Sequence, residues 1–128
     1  MNGNRYLLDT NAIIALLQGN KALLQQLKNA EWVGISVISQ LEFLVFPNLT
    51  DSDKVYFNQF LQRVDVIGLT TEQLPLITKI INLRRQYYLK LPDAIIVGAA
   101  LQHRATLVSA DKRLHKIDGI PVLDFQVR

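Results

Sequence analysis

Cysteine is absent from the 128 residues. That excludes a disulfide framework and any thiolate metal site, and it suits a reducing compartment such as the cytoplasm. Histidine is scarce, with only His103 and His115. No apolar run approaches the roughly 20 residues a membrane span needs, which argues against a membrane partner. The opening residues, Met1-Asn2-Gly3-Asn4-Arg5, do not read as a signal peptide. Charge of one sign is not in great excess: 14 Lys and Arg face 11 Asp and Glu, for a net charge of +3. This is a mild lean toward a polyanionic partner, far from the charge density of a histone-like binder.

What is present is apolar and periodic. Hydrophobic residues make up 49% of the chain, enough to rule out a disordered segment. The length suits one domain, taken here as residues 1–128. Short apolar runs at Arg5–Leu8, Trp32–Val37, Val64–Leu69, Thr106–Val108 and Ile120–Leu123 read as strands. Between them lie helical patterns at 11–18, 21–30, 39–46, 50–63, 70–88 and from Pro92 onward. Gly19-Asn20 ends the first helix and Pro47 the third. Thr50 caps the fourth, and Thr70 or Thr71 the fifth. Strands alternating with helices predict an α/β fold, a three-layer α/β/α sandwich around a central, mostly parallel sheet.

Two stretches carry the chemistry. In Tyr6-Leu7-Leu8-Asp9-Thr10-Asn11 a buried strand runs straight into Asp9, and a helix follows. In Leu91-Pro92-Asp93 a proline-led helix opens with one acid, and Ala94 to Leu101 then shows no polar side chain. A helix apolar all round is a buried one. A helix from 92 to 103 spans roughly 18 Å at 1.5 Å per residue. The strand 105–109 returns roughly 16 Å at 3.3 Å per residue. Asp93 and Asp111 are therefore expected on one edge, where strands end and helices begin. Asp9 belongs to that edge, and Glu42 lies just past the second strand. Ligands of open α/β sheets bind along it.

Four converging carboxylates repel, so the cluster must raise its pKa values or hold cations. Oxygen donors without His or Cys select Mg²⁺ or Mn²⁺ over zinc. The plainer reading is helix capping, which stabilises an acid at a helix N-terminus by about 0.3–1 kcal/mol. Ser39-Gln40-Leu41-Glu42 matches a capping box, and Asp111 reads equally as an N-cap. Asp9 is the least cap-like of the four, because three apolar residues lead into it.

The order Leu-Leu-Asp9-Thr10-Asn11, Glu42, Pro92-Asp93-Ala94 and Val108-Ser109-Ala110-Asp111 resembles the PIN domain. In size the chain is similar to the VapC-type ribonuclease toxins of bacterial toxin–antitoxin pairs. The resemblance spans essentially the whole chain, although 47–90 has no family motif to check. It implies a hydrolase, a Mg²⁺- or Mn²⁺-dependent endoribonuclease that cleaves RNA phosphodiester bonds with metal-activated water. Asp9, Glu42, Asp93 and Asp111 would be the metal ligands and catalytic acids, with Thr10, Asn11 and Ser109 in support. It also implies an antitoxin partner, a homodimer and a cytoplasmic location. Arg84, Arg85 and Lys90 before Asp93, and Lys112 and Arg113 after Asp111, are candidate RNA contacts; they read equally as solvated helix faces. His103 and His115 are expected at the surface. The stretch from Phe43 to Phe46, with Tyr56, Phe57 and Phe60, reads mostly as core. A signalling receiver domain shares the length and layering, but it wants paired acids after the first strand and a phosphoacceptor after the third. Here those positions hold a single Asp9 and Gly68-Leu69-Thr70. The same pattern of residues would also suit a catalytically silent RNA- or partner-binding module, or a housekeeping nuclease without an antitoxin.

Overall fold

Leu7 is wholly buried at the centre of the sheet, and the sheet is built outward from its strand. The computed structural model describes residues 4–126. Five strands form one sheet: β1 (Arg5–Leu8), β2 (Trp32–Ser36), β3 (Asp65–Ile67), β4 (Thr106–Val108) and β5 (Val122–Leu123). Their order is β3-β2-β1-β4-β5, and all four pairings are parallel. Parallel neighbours need crossovers, and six helices lie between the strands. These are α1 (Thr10–Leu17), α2 (Lys21–Leu27), α3 (Val37–Leu44), α4 (Asp51–Leu61), α5 (Leu74–Tyr87) and α6 (Leu91–Gln102). Chain order runs outward from β1 in one direction to β3, then resumes on its other side with β4. The topological switch point therefore falls between β1 and β4, where doubly wound sheets bind ligands.

Strand periodicity divides the core into two layers. Leu7 and Leu107 pack with Ile80, Leu83, Val97 and Ala100 of α5 and α6. Tyr6, Leu8 and Val108 pack on the opposite face with Ala12, Ile13, Leu23, Phe43 and Phe57. Each large apolar side chain so buried contributes about 1.5–3 kcal/mol. The Phe43 and Phe57 rings stack at 4.0 Å and tie α3 to α4. Both outer strands are short, which limits edge pairing with other chains. The α/β/α layering is as expected, and the sheet is fully parallel. Among the described residues no helix is long and apolar enough to cross a membrane.

Helix α6 has Ala94 and Ile96 to Ala100 all buried. Gly98 is needed for close approach: a Cβ there would lie 2.7 Å from Cγ1 of Ile80 on α5. Two backbones approach each other through that missing side chain.

Several local expectations need correction. Helix α3 starts at Val37, capped by Ser36, whose hydroxyl accepts from the Ile38 N–H. Ser39 lies inside the helix, so the capping box at 39–42 does not form. The strand runs directly into the helix, and the serine at the junction is closer than Ser39 to the free amides. Helix α5 starts only at Leu74, with Gln73 at its N-cap; Thr70 lies in the preceding turn, its N–H bonded to the Gln73 side chain. His103 is half-buried rather than at the surface, stacked on Trp32 at 5.2 Å. Burial, and then Arg5, lower its pKa. The aromatic stretch divides: Phe43 and Phe57 are buried, while Val45, Phe46 and Tyr56 are exposed. The last turn of α3 runs past the edge of the core there.

Candidate functional site

Asp9 leaves β1 in an extended conformation and caps α1. Its Oδ1 accepts from the Ala12 N–H at 2.9 Å. The expectation that Asp9 is the least cap-like acid is therefore overturned. A strand that ends one residue before a helix leaves that residue as the cap, and aspartate is a preferred one. Capping fixes one carboxylate oxygen and thereby the side-chain rotamer. The Ser109 hydroxyl, at the end of β4, also hydrogen-bonds to the Asp9 carboxylate.

Thr10 opens α1, and its hydroxyl donates to Oε1 of Glu42 at 2.6 Å. Glu42 sits in the second turn of α3, and this bond ties α3 to α1 at the cleft. Asp93 occupies the first turn of α6 just after Pro92. Asp111 follows β4 by a short turn: its N–H donates to the Ser109 hydroxyl, and its Oδ1 accepts from the Arg113 N–H. Asp111 does not cap a helix. Its carboxylate is paired with the Arg113 guanidinium, which reaches it through both Nε and Nη2. Nη2 of the same arginine lies 3.5 Å from Oδ2 of Asp93.

These four acids line one cleft of about 480 Å³ at the carboxyl edge of the sheet, with Thr10, Asn11, Lys90, Ile96 and Arg113. Their charges affect one another. Burial, above all, raises the Asp9 pKa; hydrogen bonds from Ser109 and Ala12 oppose this, and Asp111 and Asp93 add repulsion. Asp93 is raised chiefly by burial, against the pull of Arg113 and with repulsion from Asp111 and Glu42. Asp111 goes the other way, held low mainly by its hydrogen bond from Arg113.

The donor set is all oxygen, which fits a hard divalent cation. Among the described residues, however, no three acidic or histidine side chains are grouped closely enough to hold an ion as they stand. The Arg113 guanidinium lies between two of the four.

The basic residues expected near the site separate. Lys90 and Arg113 line the cleft. Arg84 and Arg85 are exposed in the last turn of α5, outside the cleft lining. Lys112 is exposed and lies 3.9 Å from Asp124. His115 is exposed, with Nε2 at 3.0 Å from the Ser109 carbonyl oxygen. Sequence reasoning missed the Thr10–Glu42 bond and the Arg113 bridge. A hydroxyl directly after the strand-terminal acid could have signalled the first; an arginine two residues after the last acid is compatible with the second but does not distinguish it from a rim cation.

Compared with known proteins, residues 6–120 match the family model of the PIN domain. The chain belongs to the PIN domain family. Among solved structures, this PIN domain is similar to a toxin–antitoxin complex from Klebsiella pneumoniae. The identity is 29%, over 90% of this chain and 94% of that one, with a TM-score of 0.74. It shares its fold with VapBC2 from Rickettsia felis bound to a promoter DNA fragment, at 20% identity and a TM-score of 0.76. That match covers 93% of this chain and 97% of that one. DNA-bound VapBC from Salmonella typhimurium is similar in fold at 19% identity and a TM-score of 0.73, over 94% of this chain and 98% of that one. No curated protein matches the chain.

Proposed function

We propose that this PIN domain is a Mg²⁺- or Mn²⁺-dependent endoribonuclease and the toxin of a toxin–antitoxin pair. The observation that carries the reading is the cleft itself: Asp9, Glu42, Asp93 and Asp111 face one space at the sheet's switch point. Two of them carry raised pKa values because burial and their neighbours penalise the charge. Carboxylates gathered at such a cost support a functional site, in which capping positions the Asp9 side chain.

All four acids are the cation's ligands in this reading, with Asp9 and Asp93 central. A bound Mg²⁺ or Mn²⁺ supplies positive charge to a phosphodiester and makes water more acidic near neutral pH. The chain's own residues do the rest. The N-cap bond and the Ser109 hydroxyl fix the Asp9 carboxylate, and the Thr10 hydroxyl orients Glu42. Lys90 and Arg113, at the rim, offset backbone phosphate charge. Asn11, exposed beside Thr10, is within the cleft lining and available to a substrate.

The toxin assignment draws on the toxin–antitoxin complex from Klebsiella pneumoniae, which aligns over nearly the whole of both chains. It also draws on exposed apolar residues between α3 and α4. Ile14, Leu17, Phe43, Phe46, Leu49 and Tyr56 line an apolar groove of about 320 Å³ there. An antitoxin segment or a second copy of this chain would bury Val45, Phe46 and Tyr56. The expected setting is the cytoplasm.

The test is RNA cleavage by purified protein with Mg²⁺, with Mn²⁺ and with excess EDTA. Cleavage that needs the cation and disappears in Asp9→Asn supports the reading. Cleavage that survives EDTA, or that Asp9→Asn retains, overturns it. Co-purification with the product of the adjacent reading frame tests the toxin assignment separately.

A further inference from the structure

Both carboxylate oxygens of Asp111 are taken by the residue two positions on. Oδ1 accepts from the Arg113 N–H at 3.0 Å and from Nε at 3.1 Å, and Oδ2 accepts from Nη2. That same Nη2 is 3.5 Å from Oδ2 of Asp93. One guanidinium therefore reaches two of the four acids: its Nε/Nη2 fork matches the Asp111 carboxylate, and Asp93 has the single ion-pair contact. It does not deprotonate at any ordinary pH, so the charge is permanent. Its side chain is 58% exposed, so it can leave without disturbing the core.

We propose that Arg113 is an internal competitor for the divalent cation: it occupies Asp93 and Asp111 in the metal-free chain and must release them before an ion is held there. The proposal rests on reading these acids as cation ligands. On Asp111 the three Arg113 donors use most of the carboxylate's acceptor sites, and at Asp93 the nearby guanidinium charge repels an arriving cation. Once displaced, the side chain has open solvent to turn into beside Lys90, where its fork suits a phosphate. While in place it offsets the mutual repulsion of the acids, and the apparent cation affinity falls accordingly. This also accounts for four acids that share a cleft without forming a tight ligand cage.

The experiment is isothermal calorimetry with Mn²⁺ on the purified chain and on Arg113→Gln and Arg113→Lys, with circular dichroism as the check of folding. Arg113→Gln is expected to bind Mn²⁺ about two- to fivefold tighter than the wild type. Arg113→Lys keeps the charge and loses the fork, and its affinity is expected to lie between the two. If the wild type binds Mn²⁺ and Arg113→Gln binds it equally or more weakly, Arg113 is no competitor and the proposal falls. If none of the three proteins binds Mn²⁺, the cation reading falls, and the proposal with it.

Discussion

Asp9→Asn should make the metal-free protein more stable, although it alters a helix cap. In the wild type Oδ1 of Asp9 accepts from the Ala12 N–H at 2.9 Å, and asparagine caps about as well as aspartate. The substitution therefore keeps an acceptor for the cap and removes the charge, but replaces the second carboxylate oxygen with an amide NH2 and so weakens the bond from the Ser109 hydroxyl. That charge is penalised by burial and repelled by Asp111 and Asp93. Relief of such a penalty is worth about 0.5–2 kcal/mol. Loss of the carboxylate's interaction with the helix dipole works against it, by about 0.3–1 kcal/mol. The balance favours the variant by at most roughly 1 kcal/mol, at most a few degrees in melting temperature for a chain of this size. Asp9→Ala removes the cap as well and should lie about 1 kcal/mol below Asp9→Asn. The sign also fixes the pH dependence. A carboxyl whose folded pKa is raised contributes stability below its unfolded pKa and loses it as pH rises through the folded value. The metal-free wild type should therefore lose stability from Asp9 as pH rises from about 4 toward neutrality, and Asp9→Asn should lack that part of the slope. The assay is urea unfolding in EDTA at a series of pH values. If Asp9→Asn unfolds at lower urea than the wild type at neutral pH, the charge holds the fold together and the view of a charge-strained cleft is wrong.

Gly98→Ala places a Cβ 2.7 Å from Ile80 Cγ1 in the packed contact of α5 and α6. It should cost about 1–3 kcal/mol in chemical denaturation; no loss would mean that the helices can move apart freely. Thr10→Val removes the 2.6 Å bond to Glu42 at little cost in volume. It should lower cation-dependent cleavage about 10-fold or more while leaving the fold intact, and unchanged kinetics would leave Thr10 as filling only. Asp111 titrates in the opposite sense to Asp9, because Arg113 holds it low. Arg113→Gln should therefore reduce the stability that is lost as pH falls below the usual carboxylate range, measured by acid unfolding in EDTA.

The layering was legible because alternating apolar runs leave little choice of topology once they are read as β-α-β units. Asp93 and Asp111 could be placed on one edge by length alone, since a helix and its returning strand nearly cancel. Helix starts were harder. Ser39, Thr70 and Thr71 look like caps while Ser36 reads as strand, and tertiary packing decides otherwise: β2 ends at Ser36, which caps α3, and α5 waits for Gln73. At Asp9 the apolar approach argues against a cap only if a loop follows the strand; here the strand leads directly into a helix, and that makes one. The Arg113 bridge was hidden for a different reason. An arginine near an acid reads equally as a rim cation or as a partner, and only side-chain directions distinguish the two. Exposure was the least legible property: Phe43 and Phe46 are a single turn apart, and one is buried while the other faces out.

The central claim is that the carboxylates at the switch point hold a divalent cation. Calorimetry with Mn²⁺ on the wild type and on Asp93→Asn tests it most directly, since Asp93 is not a helix N-cap and its loss leaves α6 buried as before. The account predicts saturable binding to the wild type at millimolar metal or below, and at least about a 10-fold loss of affinity in Asp93→Asn. Equal binding by both proteins, or none by the wild type at millimolar Mn²⁺, would contradict it.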